Sequence, residues 1–249
     1  MNISRLSLAA SLALTMSCTA IADEAVSVKA AYISLDPSGE IAANIAGVAG
    51  TRVDIDSVLG MDQSNSFTAE AAIQFGDLRL GAAYLPLNFE GVGTTPPITF
   101  NGQTFAGTVN SKLDADIFDV SLTYFLFNMD DLPTRVQLGI EGAVKVTRAE
   151  TSLSTVGLTE SASGIAPIPT IGVRARVGLA DFAAVNGRVG YLGYAGNRFL
   201  DAEANVEFSP LPAVGAYAGY RHIDIKVDES DVFLDARFSG AFAGAFVRF

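Results

Sequence analysis

Long segments in which apolar and polar residues alternate constrain the fold more than any other feature of this sequence. In segment 136–147 one face is aliphatic and the other is polar or small; the aliphatic face consists of Val136, Leu138, Ile140, Val144 and Val146. A period of two residues is that of a β-strand, whose successive side chains point to opposite faces. Four further segments alternate as clearly, with apolar faces that begin at Phe67, Phe118, Ile171 and Leu200. Weaker alternation brings the predicted number of strands to about ten, with eight as the alternative; it occurs in 25–35, 78–89, 183–194, 213–227 and 232–249.

The composition indicates that these strands form a closed barrel in a membrane. Hydrophobic residues make up 49% of the chain, yet beyond the first 22 residues no apolar run approaches the ~20 residues of a membrane helix. A membrane-spanning chain must satisfy its backbone hydrogen bonds internally, which leaves only helices or a closed barrel. We therefore predict an all-β fold, a closed antiparallel up-and-down transmembrane β-barrel, with the even strand number of bacterial barrels.

A secreted β-sandwich is the competing fold, because its strands also alternate. Three features favour the barrel: the length of the segments, the aromatic residues near their ends, such as Phe75, Tyr124 and Phe208, and the final residue, Phe249. The predicted connections also differ in length: short ones lie near 76–77, 128–133, 180–181 and 209–212, and longer ones near 36–66, 91–110 and 150–166. Short periplasmic turns, long outer loops and two periplasmic termini would produce this order.

Two predicted strands depart from simple alternation. In the penultimate strand Arg221 shares a face with Tyr217 and Ile223, which indicates a bulge or a change of environment. In the last strand Phe242 and Phe246 lie on the face opposite Phe249. Either aromatic side chains enter the lumen or this strand is irregular.

The first 22 residues have the pattern of a cleavable signal peptide. Arg5 precedes an apolar run, 6–16, that is too short to span a bilayer as a helix, and Ala20 and Ala22 form a small-x-small cleavage site. We expect a signal peptide over 1–22 and an outer-membrane barrel domain over 23–249. A lipoprotein anchor at Cys18 is the alternative. Cys18 is the single cysteine, so the barrel domain can form no disulfide.

The charge balance argues against several classes of partner and cofactor. The chain carries 16 Lys and Arg against 27 Asp and Glu, a formal net charge of -11, whereas nucleic-acid binding needs clustered positive charge. No glycine-rich phosphate loop follows a strand and opens a helix. With one His and no Cys in the barrel domain, a transition-metal site has no support. We expect no nucleic-acid partner, no cofactor and no metal.

The strand frames place many charged residues on the face opposite the aliphatic one, in the barrel lumen. These residues are Glu70, Asp119, Glu141, Lys145, Arg174, Arg176, Asp201, Glu203 and Glu207, and we expect Arg79 and Arg188 to join them. Side chains largely fill the interior of a barrel of this size. One interpretation is a salt-bridged core that stabilises the barrel, and the other is a narrow passage whose charged wall selects small polar solutes.

Short motifs resemble those of small outer-membrane barrels of Gram-negative bacteria, in the broad OmpW- and OmpA-like group. The ending 241–249, with Phe249 last and Val247 two residues before it, is similar to the C-terminal signal of such barrels. The segment 219–222, Gly-Tyr-Arg-His, resembles their penultimate-strand motif, and 53–62 resembles a first-loop pattern of that group. The resemblance implies that the barrel-assembly machinery reads Phe249 and Val247.

The only enzymatic hint comes from a His and an Asp on one face of the penultimate strand. His222 and Asp224 resemble the His-Asp pair of the ten-stranded omptin proteases, with Asp54 and Asp56 as the facing acidic pair. Their order and spacing differ from that family, so we expect no enzyme.

The predicted function is therefore that of a non-enzymatic barrel in the cell outer membrane. It would support the membrane and provide a narrow passage for small solutes. The alternatives are an outer-surface enzyme that acts on proteins or lipids, and adhesion or ligand binding through a loop such as 91–110. Its expected partners are outer-membrane lipids and, during biogenesis, the assembly machinery, and we expect a monomer.

Overall fold

The computed structural model describes residues 26–43, 51–129, 135–211, 213–228 and 232–249. The predicted signal peptide, 1–22, with Cys18, and most of the predicted turn 128–133 lie outside these residues. In the described ranges no helix is long and apolar enough to cross a membrane. The strands are β1 (Val26–Ala43), β2 (Val53–Asp54), β3 (Ser64–Phe75), β4 (Leu78–Phe100), β5 (Gln103–Met129), β6 (Val136–Thr155), β7 (Leu158–Ala180), β8 (Ala183–Tyr194), β9 (Asn197–Leu211), β10 (Val214–Asp228) and β11 (Val232–Arg248).

Ten long strands form one closed antiparallel ring. Each strand pairs with its neighbour in sequence, and β1 pairs with β11 from Ser27↔Arg248 to Ala43↔Val232. The two-residue strand β2 pairs only with β1, where Glu40 faces Asp54. Closure leaves no unpaired edge among the long strands, as a membrane requires. The predicted up-and-down barrel is confirmed, with ten strands in the ring rather than eight.

The outward faces of the strands separate the barrel from a sandwich. The apolar faces predicted to begin at Phe67, Phe118, Ile171 and Leu200 point away from the lumen, as does the aliphatic face of β6. Ile171 is 69% exposed and Val206 is 55% exposed. In a sandwich these side chains would be buried between two sheets. Here they form an apolar belt around the molecule, of the kind that transmembrane barrels present to lipid.

Two segments predicted as long loops are instead the outer ends of long hairpins. In β4–β5 the pairing continues through 91–110 to a two-residue turn at Asn101 and Gly102, and in β6–β7 it continues through 150–166 to a turn at Val156 and Gly157. Asn101 and Gly102 both have positive φ, 48° and 78°, as tight hairpin turns require. The loop prediction was wrong here because regular alternation weakens in these segments while the backbone pairing continues.

The lumen has two layers that differ in chemistry. Charged side chains fill the half of the lumen nearer the turns 76–77 and 181–182 and the C-terminus. The other half holds an apolar cluster, which we call the outer cluster; it includes Ile33, Leu35, Leu85, Phe89, Phe105, Val109, Ile223 and Phe238. The first-loop segment 53–61 folds inward onto this cluster and buries Val53, Ile55, Leu59 and Met61.

This layering explains both irregular strands. Tyr217, Arg221 and Ile223 all face the lumen and are buried, and a register shift between Val214 and Ala216 lies only at the start of β10. The mixed face therefore reflects a lumen that changes from charged to apolar along the strand. In β11, Phe242 and Phe246 are buried in the lumen against Tyr217, with ring centroids 5.8 Å and 6.3 Å from the Tyr217 ring.

Candidate functional site: the charged lumen and its cavity

All nine charged residues that the strand frames place in the lumen face inward, and all nine belong to ion pairs that link strands. Six carboxylates and eight cations contribute to this charged layer; they are Glu70, Asp119, Glu141, Asp201, Glu203 and Glu207 with Lys29, Arg79, Lys145, Arg174, Arg176, Arg188, Arg221 and Arg248. Arg176 itself pairs with Glu207. Arg79 and Arg188, the two expected additions, are part of the same layer.

The centre of the charged layer is a buried group around Asp201 and Asp119. Asp201 accepts two hydrogen bonds from the Arg221 guanidinium, at 3.0 Å and 2.9 Å, and its carboxylate lies 2.9 Å from Lys145 Nζ. Lys145 also pairs with Asp119, which Arg188 contacts at 3.2 Å. Five strands, β5, β6, β8, β9 and β10, are joined through this group.

Glu207 forms a second group nearer the end of the barrel. Lys29 Nζ lies 2.6 Å from one oxygen, and Arg176 Nη1 donates to the other at 2.7 Å. Arg248 pairs with the same carboxylate. The Glu207 side chain is 1% exposed, and burial of a carboxylate at this depth requires such compensation. Lys29, Arg176 and Arg248 lie on β1, β7 and β11, so the group spans the seam where the barrel closes.

Two separate pairs complete the layer. Arg174 Nε donates to Glu141 Oε2 at 2.6 Å, and Thr123 Oγ1 donates to the same oxygen at 2.9 Å. Arg79 Nη2 donates to Glu70 Oε1 at 2.6 Å. The Nη1 atom of Arg79 is buried and has no hydrogen-bond partner among the described residues.

The sequence frames missed three lumen cations: Lys29, Arg221 and Arg248. Lys29 lies in a weakly alternating segment, and Arg221 lies in the strand with a mixed face. Arg248 directly precedes Phe249, and successive side chains of a strand point to opposite faces. Assigning Phe249 to the lipid face therefore predicts that Arg248 points into the lumen. Alternation of polar with aromatic residues at the end of β11 was the available signal.

A cavity of about 280 Å3 lies beside the charged layer, at the end of the lumen nearer the turns 76–77 and 181–182. Seven cations and two carboxylates line it; they are Lys29, Arg79, Arg135, Arg174, Arg176, Arg188 and Arg248 with Glu70 and Glu203. The positive lining contrasts with the net charge of -11 of the whole chain. The long hairpins β4–β5 and β6–β7 extend from the opposite end, which is the extracellular side in bacterial barrels, so the cavity faces the periplasm.

The residues considered for catalysis have other partners. His222 Nδ1 lies 2.6 Å from Ser239 Oγ on the neighbouring strand, and Asp224 accepts two hydrogen bonds from Arg198, at 2.9 Å and 3.0 Å. Asp54 accepts from the backbone N and the hydroxyl of Ser57. In the part of the chain that the structure describes, His222 and Asp224 make no hydrogen bond to one another.

The two residues of the predicted assembly signal lie at the seam. The backbone N of Phe249 donates to Val26 O at 2.9 Å, and Val26 N donates to Phe249 O at 3.1 Å. The Phe249 ring is 42% exposed. Val247 pairs with Val28 across the seam. Recognition of Phe249 and Val247 by the assembly machinery stays a prediction.

Comparisons with known proteins agree on the architecture. No protein-family model matches the sequence. No curated protein matches it significantly. The outer membrane protease OmpT from Escherichia coli has 12% sequence identity and a TM-score of 0.57, with 94% of this chain and 99% of OmpT covered. Neisserial surface protein A has 16% identity and a TM-score of 0.40, with 90% and 97% covered. Ail of Yersinia pestis has 10% identity and a TM-score of 0.38, with 90% and 98% covered.

At these identities the likeness to OmpT shows a shared fold and says nothing of a shared activity. The TM-scores of the other two are below 0.5. The closed ring, the exposed apolar belt and the OmpT-like architecture together define a Gram-negative outer-membrane β-barrel, and the outer membrane is the location of this chain. Membership of the OmpW- and OmpA-like group stays a prediction.

Proposed function

We propose that this chain is a non-enzymatic, structural barrel of the outer membrane whose lumen is closed to solutes. The observation that carries the proposal is the outer cluster, which fills the lumen between the cavity and the outer end. Phe89, Phe105 and Ile223 in this cluster are completely buried. The rings of Phe89 and Phe238 stack across the lumen with centroids 5.1 Å apart.

The outer cluster opposes the passage of ions and polar solutes because they would lose their hydration there. A charged group in an apolar medium without a partner costs far more free energy than thermal motion supplies. Hydrophobic constrictions close channels by this same exclusion of water. The structural interpretation of the charged layer is therefore better supported than the interpretation as a selective passage.

The charged layer beneath the cluster gives the closed barrel its strand-to-strand connections. Replacing a buried ion pair by apolar residues can be neutral, so the pairs are weak evidence for a net gain in stability. Removing one partner is costly, however, because the other charge is left buried. A layer built in this way favours a single arrangement of the strands.

The non-enzymatic part of the proposal is supported by the partners of the candidate catalytic residues. Asp224 is occupied by Arg198, and Arg237 Nε lies 3.7 Å from its second oxygen. His222 of β10 lies opposite Ser239 of β11, and their side chains are hydrogen-bonded. If a His222→Ala variant lost an activity that the wild-type barrel has, the enzyme alternative would replace this proposal.

Reconstitution in planar bilayers tests the closed lumen. We expect no steady single-channel conductance from the wild-type protein. The double variant Phe89→Ala, Phe238→Ala removes the stacked rings and should produce conductance steps. The matched control is Tyr32→Ala, Phe67→Ala, which removes an aromatic pair 5.3 Å apart on the outward face and should stay silent. Steady conductance of the wild-type protein would contradict the proposal.

A second candidate function is binding at the cell surface through the two long hairpins. The observation that favours it is a connection between their tips: Asn101 Nδ2 donates to Glu160 Oε2 at 3.1 Å and to Ser161 O at 3.3 Å. The hairpins thus offer a firm surface rather than two independent loops. Deleting 154–155 and 158–159 shortens one hairpin and keeps the Leu153 and Glu160 pairing. Unchanged adhesion of cells that carry this variant would count against the candidate.

A further inference from the structure

We propose that the periplasm-facing cavity is a binding site for a small oxyanion of the phosphate class, either inorganic phosphate or a compact soluble phosphate ester. The groups that would hold it are the guanidinium groups of Arg79, Arg174 and Arg176. This site is independent of the closed lumen, because the ligand would enter and leave at the periplasmic end.

The first step of the argument is the excess of positive charge. The excess does not depend on Arg248 or Arg135. Seven lumen cations then still face six carboxylates. The surroundings of the cavity are more one-sided, since five of these cations line it together with only Glu70 and Glu203. An excess of charge in a low-dielectric interior favours a bound counter-ion.

The second step is the number of hydrogen-bond donors that the protein leaves unused. A guanidinium group has five N–H donors. Arg174 uses Nε on Glu141, and within the described residues its two terminal nitrogens have no hydrogen bond. Arg176 donates hydrogen bonds from Nη1 to Glu207 and to Asn186. Arg79 uses Nη2 on Glu70, while its buried Nη1 is without a partner in the described part of the chain.

The third step is the match between these donors and the ligand. Guanidinium groups bind phosphate oxygens through two parallel hydrogen bonds, and charge-assisted bonds of this kind are the stronger ones. Arg174 and Arg176 lie on β7 and Arg79 lies on β4, so the guanidinium groups that line the cavity come from two parts of the wall. A tetrahedral oxyanion can accept from several directions, whereas a planar carboxylate can accept in one plane.

The size of the cavity limits the ligand. A volume of about 280 Å3 is at the lower end of the range for small-molecule sites. It accommodates phosphate, pyrophosphate or a phosphate ester with a short substituent. The side chains of Arg174 and Arg176 are 15% and 24% exposed, so both groups are reachable from the cavity.

Isothermal titration calorimetry tests the site on the folded barrel, extracted from the outer membrane in an uncharged detergent. Inorganic phosphate and pyrophosphate are the probes, and succinate and chloride are the comparison anions. We expect saturable binding of one phosphate or pyrophosphate per barrel, tighter than that of succinate or chloride. Raised salt should weaken it, because salt screens the attraction.

Two variants remove donors while limiting damage to the fold. Arg176→Gln leaves Glu207 paired with Lys29 and Arg248. The double variant Arg174→Gln, Glu141→Gln removes both members of one pair, so no carboxylate is left buried without its partner. Each should weaken phosphate binding by about tenfold or more, the amount expected for a lost charge-assisted hydrogen bond. The control is Arg237→Gln, a 54% exposed arginine at the other end of β11, which should bind as the wild type does.

Heat-modifiable migration on a gel shows whether each variant is folded before it is titrated. Absence of saturable binding by the folded wild-type barrel would overturn the proposal and would mean that water alone satisfies these donors. Equal weakening by Arg237→Gln would also overturn it. Neither result would bear on the closed lumen, which conductance tests separately.

Discussion

Single charged residues of the barrel contribute unequally to its stability, and Glu207 in the lumen illustrates the largest contribution. Its carboxylate is shared by Lys29, Arg176 and Arg248, and its side chain is 1% exposed. At the other end, Glu90 lies 3.7 Å from Lys112 Nζ with a side chain that is 76% exposed. Both are glutamates near lysines in the same barrel. Burial, and not the presence of an ion pair, decides how much each contributes.

We predict that Glu207→Gln destabilises the barrel by about 3–5 kcal/mol, since it leaves three lumen cations, of which Arg248 is buried, without their shared counter-charge. Glu90→Gln is the matched control and should change stability by less than about 1 kcal/mol. A urea series read by gel migration measures both, because the chain has no Trp for fluorescence. If the two variants unfolded at the same urea concentration, the central role of Glu207 would be excluded.

Among the structural elements, the inward segment 53–61 depends on glycines in its neighbour β4. Met61 forms an isolated bridge with Gly91, and a Cβ on Gly93 would lie 1.9 Å from Val58 O. The two backbones are therefore too close for a side chain between them. Glycine at these positions allows the segment to dock and bury Ile55 and Leu59.

Gly93→Val should therefore push this segment away from the barrel. Arg52 precedes this segment, and its guanidinium carbon lies 3.8 Å from the centroid of the Phe233 ring. Once the segment opens, trypsin should cleave after Arg52 at least about tenfold faster. A tenfold change corresponds to a loss of about 1.4 kcal/mol of local stability. Gly142→Val is the control, because a Cβ there meets nothing within 4 Å. Equal cleavage rates in wild type and Gly93→Val would show that the close approach is not needed.

The whole molecule closes at one seam, where β1 pairs with β11 although these two strands are the first and the last of the described chain. Phe249 and Val26 exchange both backbone hydrogen bonds at this seam. The ring of Phe249 is 42% exposed and alternates with the inward-facing Arg248, so it takes no part in the packing inside the lumen. Its proposed importance is therefore in assembly.

Phe249→Ala should strongly reduce the amount of folded barrel in the outer membrane of growing cells. The fraction that does assemble should unfold in urea as the wild type does, since the hydrogen bonds of Phe249 at the seam are made by its backbone. Phe75→Ala, an exposed aromatic residue beside the turn 76–77, is the control and should assemble normally. Heat-modifiable migration of membrane fractions measures the folded amount, and normal assembly of Phe249→Ala would exclude the signal.

The hairpin ends and the lumen show how far a local pattern can be followed. Asn101-Gly102 is a strong hairpin signal, but the segment around it was interpreted as a loop because apolar alternation weakens there. Outside the bilayer the outward face meets water, so the pattern weakens although the strands continue. The side-chain partners in the lumen are further from local control, since Lys29 and Glu207 are 178 residues apart.

The amino-acid sequence was sufficient to predict the fold class, the approximate strand number, the outward faces and the inward direction of nine charged residues. Each of these follows from a period of two residues, and that period is a property of a single strand. Three features became visible only in the folded barrel. These are the partners of each charge, the filling of the outer half by aromatic rings and the segment 53–61, and the cationic cavity at the periplasmic end. These features depend on which strands face each other across a closed ring, and no local pattern carries that information.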